Sequence, residues 1–587
     1  MRSVWLFAWL LCACAHPVAP AHEPANPVVS QPAPPRRGAV TLSIVGTNDL
    51  HGALERLPLL GGFVANLRAA RAADGGGVLL IDGGDMFQGT LESNLAEGAD
   101  VVRAYNALGY AAAAVGNHEF DYGPVGPAVI AATPADDARG ALKARASEAA
   151  FPFVVSNILD ATTGERIAWP NMPASTQVEV AGIKVGIIGA STESTPYTTM
   201  PANFAGLKMT PPAPVLAAQA RELRAHGAQV IVATMHIGSS CKNFDHPEDT
   251  SSCDRDEEVF RLLAALPRGT VDVIVAGHTH AGMAHLVDGV AVIEAYSSGR
   301  AFGRVDLRIS PEGKVAEIHI DKPHRMCALD KDGNPVPVAA CEPGDYEGRP
   351  VVADAAVQKI VDEAMARAGE RRKEKLGITL AQTVKRAHVV ESPEGNWFTD
   401  LMLAARPDAQ LAMTNGGGLR ADLPAGELTY GQLFEALPFD NRFAIIELTG
   451  KDVRKMITGN LTHAGAFMSW SGLSVKARCA AGKLDLAIKV GAKQLDDGAH
   501  YKLATSDFLA SGGNGVIGPL KLPDGSIKMT DSIIREAVAD LLRGWKATPR
   551  AVVDTSKLYP AAAPRFDYTG SRPMQCGGAS AGKESGE

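Results

Sequence analysis

The sequence predicts an α/β fold with more than one domain, on three observations. The chain has 587 residues, which is more than one hydrophobic core usually organises. From Thr41 onward, short apolar runs alternate with polar turns and helical stretches. Near-continuous apolar strands that alternate with helices are typical of sheets covered on both faces. The hydrophobic content of 46% is enough to build such cores.

Seven apolar runs are the predicted strands of the first domain. Ligands of such sheets bind beyond the carboxyl ends of the strands, so polar residues that follow a run are candidates for a functional site. The runs are 42–45, 78–81, 111–115, 153–155, 185–188, 230–233 and 271–276.

The first 40 residues are predicted to be an export signal and a tether. A short apolar run follows Met1-Arg2-Ser3, as in a signal peptide, and it is too short to span a bilayer. The segment 11–14 resembles a bacterial lipobox, which predicts a signal over 1–14 and a lipid on Cys14; simple cleavage and release is the alternative. The proline-rich residues 15–40 are typical of an extended tether. We expect an exported protein, in the periplasm or as a lipoprotein of the outer membrane or cell surface.

Six cysteines remain outside the predicted signal, and in an exported chain an even number favours disulfides. Six cysteines allow fifteen connectivities, so the pairing stays open. A thiolate metal site is the rival interpretation, but no CxxC spacing supports it. The pairs that we expect are Cys241–Cys253, Cys327–Cys341 and Cys479–Cys576.

The overall charge argues against nucleic-acid polymers as partners. The net charge is −8 and the chain has no run rich in Lys and Arg, whereas binding to a phosphate backbone needs a basic surface. A small anionic substrate remains compatible if metal ions supply positive charge. Membrane contact is expected only through the lipid anchor, and the oligomeric state is left open.

The domain organisation follows from the change of pattern along the chain. We expect a first domain over 41–350, a linker helix over 351–377, a smaller α+β domain over 378–562 and a flexible tail over 563–587. Residues 355–374 have helical composition and end in a charged run, which is typical of a solvated helix between domains.

Five polar clusters, each after an apolar run, are candidates for a metal site. A single histidine is more often structural than a ligand, but five such clusters in order are hard to obtain by chance. They are Thr47-Asn48-Asp49-Leu50-His51-Gly52, Gly83-Gly84-Asp85, Gly116-Asn117-His118-Glu119-Phe120-Asp121, Met235-His236-Ile237-Gly238 and Gly277-His278-Thr279-His280.

The residue types in these clusters fit two neighbouring cations. In an extended segment alternate side chains share one side, so Asp49 and His51 can hold one ion together, and His278 and His280 can face one site. The two carboxylate oxygens of Asp85 can bridge two cations. These clusters therefore predict a centre with more than one metal ion.

This arrangement resembles the calcineurin-like metallophosphoesterases, whose signature runs D-x-H, G-D, G-N-H-E/D, H and G-H-x-H, over about residues 41–310. The resemblance implies a four-layer α/β/β/α domain with two divalent metal ions, such as Zn²⁺, Mn²⁺ or Co²⁺. The implied ligands are Asp49, His51, Asp85 and His280 for the first ion, and Asp85, Asn117, His236 and His278 for the second.

The same resemblance implies the roles of a catalytic pair. A hydroxide that bridges the two metals would attack phosphorus in line. His118, oriented by a hydrogen bond to Asp121, would stabilise charge on the phosphoryl group and protonate the leaving oxygen.

The C-terminal third resembles the 5′-nucleotidase branch of these enzymes. Its motifs are N-G-G-G-x-R at 415–420, P-F-x-N at 438–441 and F-x-x-x-G-G-N-G at 508–515, over about 378–560. The resemblance implies that Phe439 and Phe508 stack on the two sides of a nucleobase. The other implied substrate contacts are Asn415, Gly417, Arg420 and Asn514.

Two departures from the branch concern the substrate. Val390 precedes Glu391 where many members have an arginine, so one phosphate-binding cation is missing unless Arg386 or Lys385 reaches the site. Asn514 replaces the usual aspartate and carries no charge.

The predicted function is the release of phosphate from nucleoside 5′-phosphates, a scavenging step of nucleotide catabolism. A 2′,3′-cyclic nucleotide phosphodiesterase or a nucleotide-sugar hydrolase is the alternative within the family. From another class, a nucleotide-binding surface protein without catalysis is the remote alternative. A sulfur-oxidation thiohydrolase shares the architecture, but no residue pattern favours it.

Overall fold

The computed structural model describes residues 38–126, 128–331, 336–546, 548, 551–559 and 564–576. The predicted signal, the predicted lipidation site Cys14 and nearly all of the predicted tether lie outside these residues. Within these ranges, no helix combines the length and the apolar character that crossing a bilayer requires.

The N-terminal domain and the helix after it contain sixteen strands and nine α-helices in the described ranges. The strands are β1 Val40–Thr47, β2 Gly77–Asp82, β3 Ala112–Ala114, β4 Phe153–Val154, β5 Ile158–Asp160, β6 Ser175–Val180, β7 Ile183–Ser191, β8 Leu207–Met209, β9 Val230–His236, β10 Val273–Val275, β11 Gly282–Val287, β12 Val290–Ala295, β13 Ala301–Ile309, β14 Val315–Arg325, β15 Asp345–Tyr346 and β16 Arg349–Pro350. The helices are α1 Leu57–Asp74, α2 Leu91–Asn94, α3 Ala99–Leu108, α4 Gly140–Glu148, α5 Thr195–Thr198, α6 Pro201–Phe204, α7 Pro212–Ala225, α8 Glu258–Ala265 and α9 Ala355–Lys373.

Two six-stranded sheets form the centre of this domain. Their strand orders are β14-β13-β1-β2-β3-β4 and β11-β12-β10-β9-β7-β6. Apolar residues of both sheets, such as Ile44 and Ile187, pack against one another in one buried cluster. Helices α1 and α3 cover the outer face of the first sheet, and α7 and α8 cover that of the second. The prediction of four layers is therefore confirmed, and all seven predicted runs contain strands.

The parallel connections explain where polar residues collect. Strands β1, β2, β3 and β4 run parallel, as do β7, β9, β10 and β12. Since carboxyl ends of parallel strands meet at one edge, the loops after β1, β2, β3, β9 and β10 lie together. These loops carry the five polar clusters.

The C-terminal domain is a smaller α+β unit. The strands are β17 Lys375–Leu380, β18 Leu411–Asn415, β19 Gly426–Thr429, β20 Arg442–Thr449, β21 Met468–Ser471, β22 Leu473–Ala480, β23 Lys483–Val490, β24 Lys493–Gln494, β25 His500–Ser506, β26 Ile527–Ile533, β27 Val552–Val553 and β28 Phe566–Tyr568. The main sheet has the order β21-β18-β25-β20-β26, beside sheets β19-β17-β27 and β24-β23-β22-β28. The helices are α10 Pro393–Ala405, α11 Tyr430–Ala436, α12 Gly450–Thr462, α13 Asp507–Ala510 and α14 Ile534–Gly544.

Helix α9 is where predicted, but it is not a solvated linker. Asp354 caps its N-terminus by accepting hydrogen bonds from the backbone N–H groups of residues 356 and 357. Val357 and Val361 are buried in the core of the N-terminal domain, and Ala368 is buried in the core of the C-terminal domain. The prediction of a solvated helix is therefore wrong, because one face completes two cores.

The prediction of a flexible tail is wrong for the first part of that segment. Residues Phe566–Tyr568 form β28, which pairs with β22 in parallel, and Phe566 is 3% exposed. The apolar side chain of Phe566 fills the core cluster beneath this small sheet, so the segment is held in place.

The three expected disulfides are confirmed. The structure contains Cys241–Cys253, Cys327–Cys341 and Cys479–Cys576. The last of these pairs attaches the segment after β28 to the end of β22.

Candidate metal centre and substrate cavity

The ligand loops of the N-terminal domain have an unusual backbone. Asp49 and His51 have φ of 50° each, Asp85 has 57°, and His278 and His280 have 83° and 58°. The prediction that these pairs alternate along extended segments is therefore wrong. Left-handed conformations cost free energy for residues with a Cβ, so surrounding contacts must hold them.

Hydrogen bonds between the first two loops provide those contacts. The backbone N–H of Asp49 donates to the carbonyl of Gly84 at 2.9 Å, and that of His51 donates to the carbonyl of Asp85 at 3.0 Å. The loop after β1 is thus attached residue by residue to the loop after β2. This backbone geometry, rather than strand alternation, brings the side chains together.

Two groups of donor atoms form, and Asp85 belongs to both. Donor atoms in each group lie within 4.8 Å of one another. The first group contains Asp49, His51, Asp85 and His280, and the second contains Asp85, His236 and His278.

Asn117 joins the second group through its side-chain oxygen, which lies 3.1 Å from Nε2 of His236. That same Nε2 lies 3.0 Å from Oδ2 of Asp85. The structure therefore brings all seven predicted ligands together, in the two sets that the resemblance implies.

The charges of the buried groups in this cluster favour the binding of cations. Burial would raise the pKa of Asp85, but the imidazoles of His236, His118 and His51 together outweigh it and hold that pKa well below its usual range. Burial opposes protonation of His236, but the Asp85 carboxylate raises its pKa to about 10. Burial and the charge of His236 lower the pKa of His278 to about 3. Two buried carboxylates thus hold a proton on a buried imidazole, and divalent cations would supply that charge more directly.

The donor set fits such cations. Carboxylate, imidazole and amide donors together suit several borderline divalent metals. The far ring nitrogens are already fixed, because Nδ1 of His51 donates to the carbonyl of Gln88 at 2.8 Å and Nδ1 of His236 to that of Gly83 at 2.9 Å. These bonds direct Nε2 of both rings toward the cluster.

Two buried glutamates hold the loops in place. Glu119 accepts hydrogen bonds from the backbone N–H groups of Asp85, Met86 and Gly116. Glu294 accepts from the backbone and hydroxyl of Thr279 and from the backbone of Ser239. Sequence reasoning missed both roles. A single acid in the apolar strand β12 was the available signal for Glu294.

The predicted catalytic pair is formed. Nδ1 of His118 lies 2.6 Å from Oδ2 of Asp121, and the hydroxyl of Thr199 donates to the other oxygen of Asp121 at 2.9 Å. The backbone N–H of His118 donates to Asp85 at 2.9 Å. The imidazole is thus oriented from two sides, and its free nitrogen remains available to a ligand.

A cavity of about 460 Å³ lies over this cluster, between the two domains. The N-terminal domain contributes Asp85, His118 and His280, and the C-terminal domain contributes Arg420 and Phe439 among others. The volume is in the usual range for a site that binds a small organic ligand.

The predicted substrate residues all line or adjoin this cavity. Arg420 reaches across the domain boundary, with Nη2 2.9 Å from Nε2 of His51. The ring of Phe439 lies 5.5 Å from that of His118. The lining also includes Gly417, Phe508, Asn415 and Asn514.

The side chains of Asn415 and Asn514 are hydrogen-bonded to each other. The side-chain nitrogen of Asn415 donates to the side-chain oxygen of Asn514 at 2.8 Å, and Asn514 has φ of 53°. A Cβ on Gly513 would lie 2.5 Å from the ring of Phe508, so glycine is needed for that ring to pack here.

Arg386 can replace the cation that the sequence lacks at Val390, whereas burial and nearby arginine charges lower the pKa of His388 to about 4, so that its imidazole is neutral near pH 7. Arg386 and His388 both line the cavity, whereas Lys385 pairs with Asp422 at 2.9 Å. Val390 itself is 45% exposed. Sequence reasoning named Arg386 as a candidate and missed His388, whose alternation with Arg386 on the same segment was the available signal.

Comparison with known proteins agrees with this site. Residues 42–282 match the model of the calcineurin-like phosphoesterases, and 372–519 match that of the 5′-nucleotidase C-terminal domain. Protein UshA of Escherichia coli is 26% identical over 514 residues, covering 81% of this chain and 86% of that protein. A 5′-nucleotidase of Vibrio cholerae is also 26% identical over 514 residues, covering 81% of this chain and 85% of its own.

A solved 5′-nucleotidase structure has a similar fold. A 5′-nucleotidase precursor from Thermus thermophilus aligns with a TM-score of 0.68 and 24% identity, over 90% of this chain and 99% of that one. The fold and the buried Asp/His cluster define a metal-dependent phosphoesterase. With its second domain, the chain belongs to the 5′-nucleotidase family.

Proposed function

We propose that this protein hydrolyses nucleoside 5′-phosphates to a nucleoside and inorganic phosphate. One observation carries the proposal: a single cavity is lined by the metal-ligand groups of the N-terminal domain and by Arg420, Phe439 and Phe508 of the C-terminal domain. A ligand that fits it has an anionic end beside the ligand groups and a flat apolar end beside the two rings. A nucleotide has both.

The two ligand groups would hold two divalent cations, with Asp85 shared and Asn117 completing the second set. When bound, such cations supply positive charge for the phosphoryl oxygens and lower the pKa of coordinated water. The ion identity stays open between Zn²⁺, Mn²⁺, Co²⁺ and similar metals, because the donors are mixed.

The residues of the chain then position the substrate and protonate the leaving group. His118, held by Asp121 at 2.6 Å, would stabilise charge on the phosphoryl group and give a proton to the departing ribose oxygen. Arg420 would bind the phosphate through its forked donors. Phe439 and Phe508 would stack on the base, a contact worth about 1–3 kcal/mol for each base that discriminates poorly between bases.

Hydrolysis of phosphodiesters or nucleotide sugars is the second candidate. Arg386 and His388 in the cavity wall favour it, because they add donors for a second anionic group. The trifunctional nucleotide phosphoesterase YfkN of Bacillus subtilis is 27% identical over 530 residues, covering 83% of this chain and 33% of that protein. That relative is named for more than one phosphoesterase activity.

A phosphate-release panel separates these candidates. We expect release from AMP and UMP, with ATP, UDP-glucose, 2′,3′-cAMP and bis(p-nitrophenyl) phosphate as comparison substrates, each with Zn²⁺, Mn²⁺, Co²⁺ or Ca²⁺. Faster turnover of the diesters than of AMP would favour the second candidate. No release from any compound with any metal would contradict both.

The proposal includes export, with 1–14 as signal and Cys14 as a lipid attachment point. Disulfides in the described part of the chain support an oxidising compartment. Mass spectrometry of the membrane fraction should find the mature N-terminus at Cys14 with acyl chains, and a Cys14→Ser variant should lose them. A soluble mature protein that begins elsewhere would contradict lipidation.

A further inference from the structure

Gln88 lies in the cavity wall with a side-chain amide that no described residue satisfies. The residue is 2% exposed, and neither its side-chain nitrogen nor its oxygen has a hydrogen-bond partner in the described part of the chain. Burying an amide without a partner costs free energy, so most buried amides are paired. An unpaired amide in the wall of a ligand cavity therefore points to a ligand.

Other amides in the same wall are satisfied within the protein. Asn94 donates to the carbonyl of Pro438 at 3.1 Å, and Asn117 donates to the carbonyl of Thr198 at 3.1 Å. Gln88 differs from both, although it is 2% exposed and thus buried about as deeply as Asn117, which is 1% exposed. The cavity wall thus has room for the hydrogen-bond partners of its other amides.

The backbone fixes Gln88 at the reacting end of the cavity. It follows Asp85 by three residues, and its carbonyl accepts from Nδ1 of His51 at 2.8 Å. Both neighbours belong to the first ligand group. The aromatic side chains Phe439 and Phe508 come from the other domain. A ligand atom that meets the amide therefore belongs to the phosphoryl end of a substrate.

We propose that Gln88 contacts the substrate and donates a hydrogen bond from its side-chain NH₂ to a non-bridging oxygen of the transferred phosphoryl group. The inference rests on the proposed function. Nearby Asp85 and Asp121 can only accept when ionised, so an uncharged amide supplies a donor that pH does not remove. A bond to an anionic oxygen is stronger than one between neutral groups, and it strengthens as charge develops on that oxygen.

Replacement by methionine separates this role from a structural one. Gln88→Met removes both polar atoms at similar length, so kcat/KM for AMP should fall about 10- to 100-fold, as for loss of one hydrogen bond to a charged group. Metal content should not change, and the melting temperature should not fall, because an unpaired buried amide is replaced by an apolar group.

Gln219→Met is the matched control. Gln219 lies on α7, and its side-chain oxygen accepts from the hydroxyl of Ser175 at 2.6 Å. It lines no part of the cavity in the described structure, so kcat/KM should equal that of the wild type.

A second variant and a binding measurement complete the test. Gln88→Glu keeps the shape but places an acceptor against the phosphoryl oxygen, so its loss of kcat/KM should exceed that of Gln88→Met. Inorganic phosphate, titrated calorimetrically into the metal-loaded proteins, should bind both variants more weakly than it binds the wild type.

Three results would overturn the inference: an unchanged kcat/KM in Gln88→Met, a fall in melting temperature or metal content that parallels the loss of activity, or a Met variant that fails to fold. Failure of the proposed function is a different result, in which the wild type and Gln219→Met release no phosphate from any substrate. The phosphate titration would then still decide whether Gln88 contacts an anion.

Discussion

At the scale of single residues, the ring of His118 is held in position for the proposed catalytic role, which folding does not require. Asp121 orients its ring at 2.6 Å, and the backbone rather than the ring of His118 contacts Asp85. We expect His118→Asn to lower kcat for AMP by about 100- to 10,000-fold, the usual range for a general acid. Metal content, measured by atomic emission, should remain at the wild-type value. Full activity in this variant would contradict the role.

Asp507, next to Phe508, is a buried carboxyl with a testable pH dependence. Burial, only partly offset by backbone hydrogen bonds, raises its pKa from 3.8 to about 6. The folded state therefore binds the proton more tightly than the unfolded state. The resulting destabilisation is absent below pH 4, grows between pH 4 and pH 6, and stays constant above.

Asp507→Asn should remove that destabilisation while keeping an oxygen for the backbone N–H of Phe508, which donates to it at 2.9 Å. Urea unfolding at pH 8 should show the variant to be more stable by up to about 3 kcal/mol. Near pH 4 the two proteins should be equally stable. A difference that is the same at both pH values would contradict this account.

At the scale of elements, one disulfide helps to hold the metal-ligand loops in place. Cys241–Cys253 closes a short loop between cysteines 12 positions apart, and the backbone N–H of Cys241 donates to the carbonyl of Gly282 at 3.0 Å. The segment before it carries Ser239, which donates to Glu294. The disulfide therefore restrains the loops that follow β9 and β10.

Cys241→Ala with Cys253→Ala should lower the free energy of unfolding by about 2–4 kcal/mol and weaken metal binding at the second group. Chemical denaturation and metal titration measure the two effects. Cys327→Ala with Cys341→Ala opens a loop of similar size, whose cysteines are 14 positions apart and which adds no described residue to the cavity. This control should lose stability but keep metal affinity. Equal loss of affinity in both would refute the local role.

Helix α9 shows what periodicity can and cannot predict. Composition places the helix correctly, and the structure shows that Asp354 caps its N-terminus. Its burial depended on partners far away in the chain, because Val357 packs with one domain and Ala368 with the other. A sequence pattern identifies an element, but the surfaces that cover it are decided by packing.

At the scale of the whole molecule, the cavity exists only because the domains meet. Arg372 on α9 joins them: Nη1 lies 2.7 Å from Glu92 of α2, and Nη2 lies 2.7 Å from Glu435 of α11. Glu92 is 2% exposed, and burial raises its pKa. The guanidinium thus offsets a buried acid at the domain boundary.

Arg372→Met should cost about 1–3 kcal/mol, because a buried acceptor loses its partner, and it should raise KM for AMP by allowing the domains to separate. Small-angle scattering should show a larger radius of gyration. Arg371→Met is the control, since Arg371 contacts Tyr430 and Glu536 of the C-terminal domain. Identical scattering and KM in both variants would contradict a role in domain docking.

The sequence by itself determined the α/β class, seven of the strands and the residue types at the metal cluster, because strand periodicity and short motifs are local properties. The disulfide pairs stayed open among fifteen connectivities until the structure placed the cysteines together. Resemblance to a family supplied the two ligand sets. Tertiary structure decided the rest. The backbone at Asp49 and His51 is left-handed because it bonds to the loop after β2. Arg420 reaches His51 because two domains meet, and the buried amide of Gln88 has no hydrogen-bond partner among the residues that the structure describes. These contacts join residues far apart in the chain, so no local pattern encodes them.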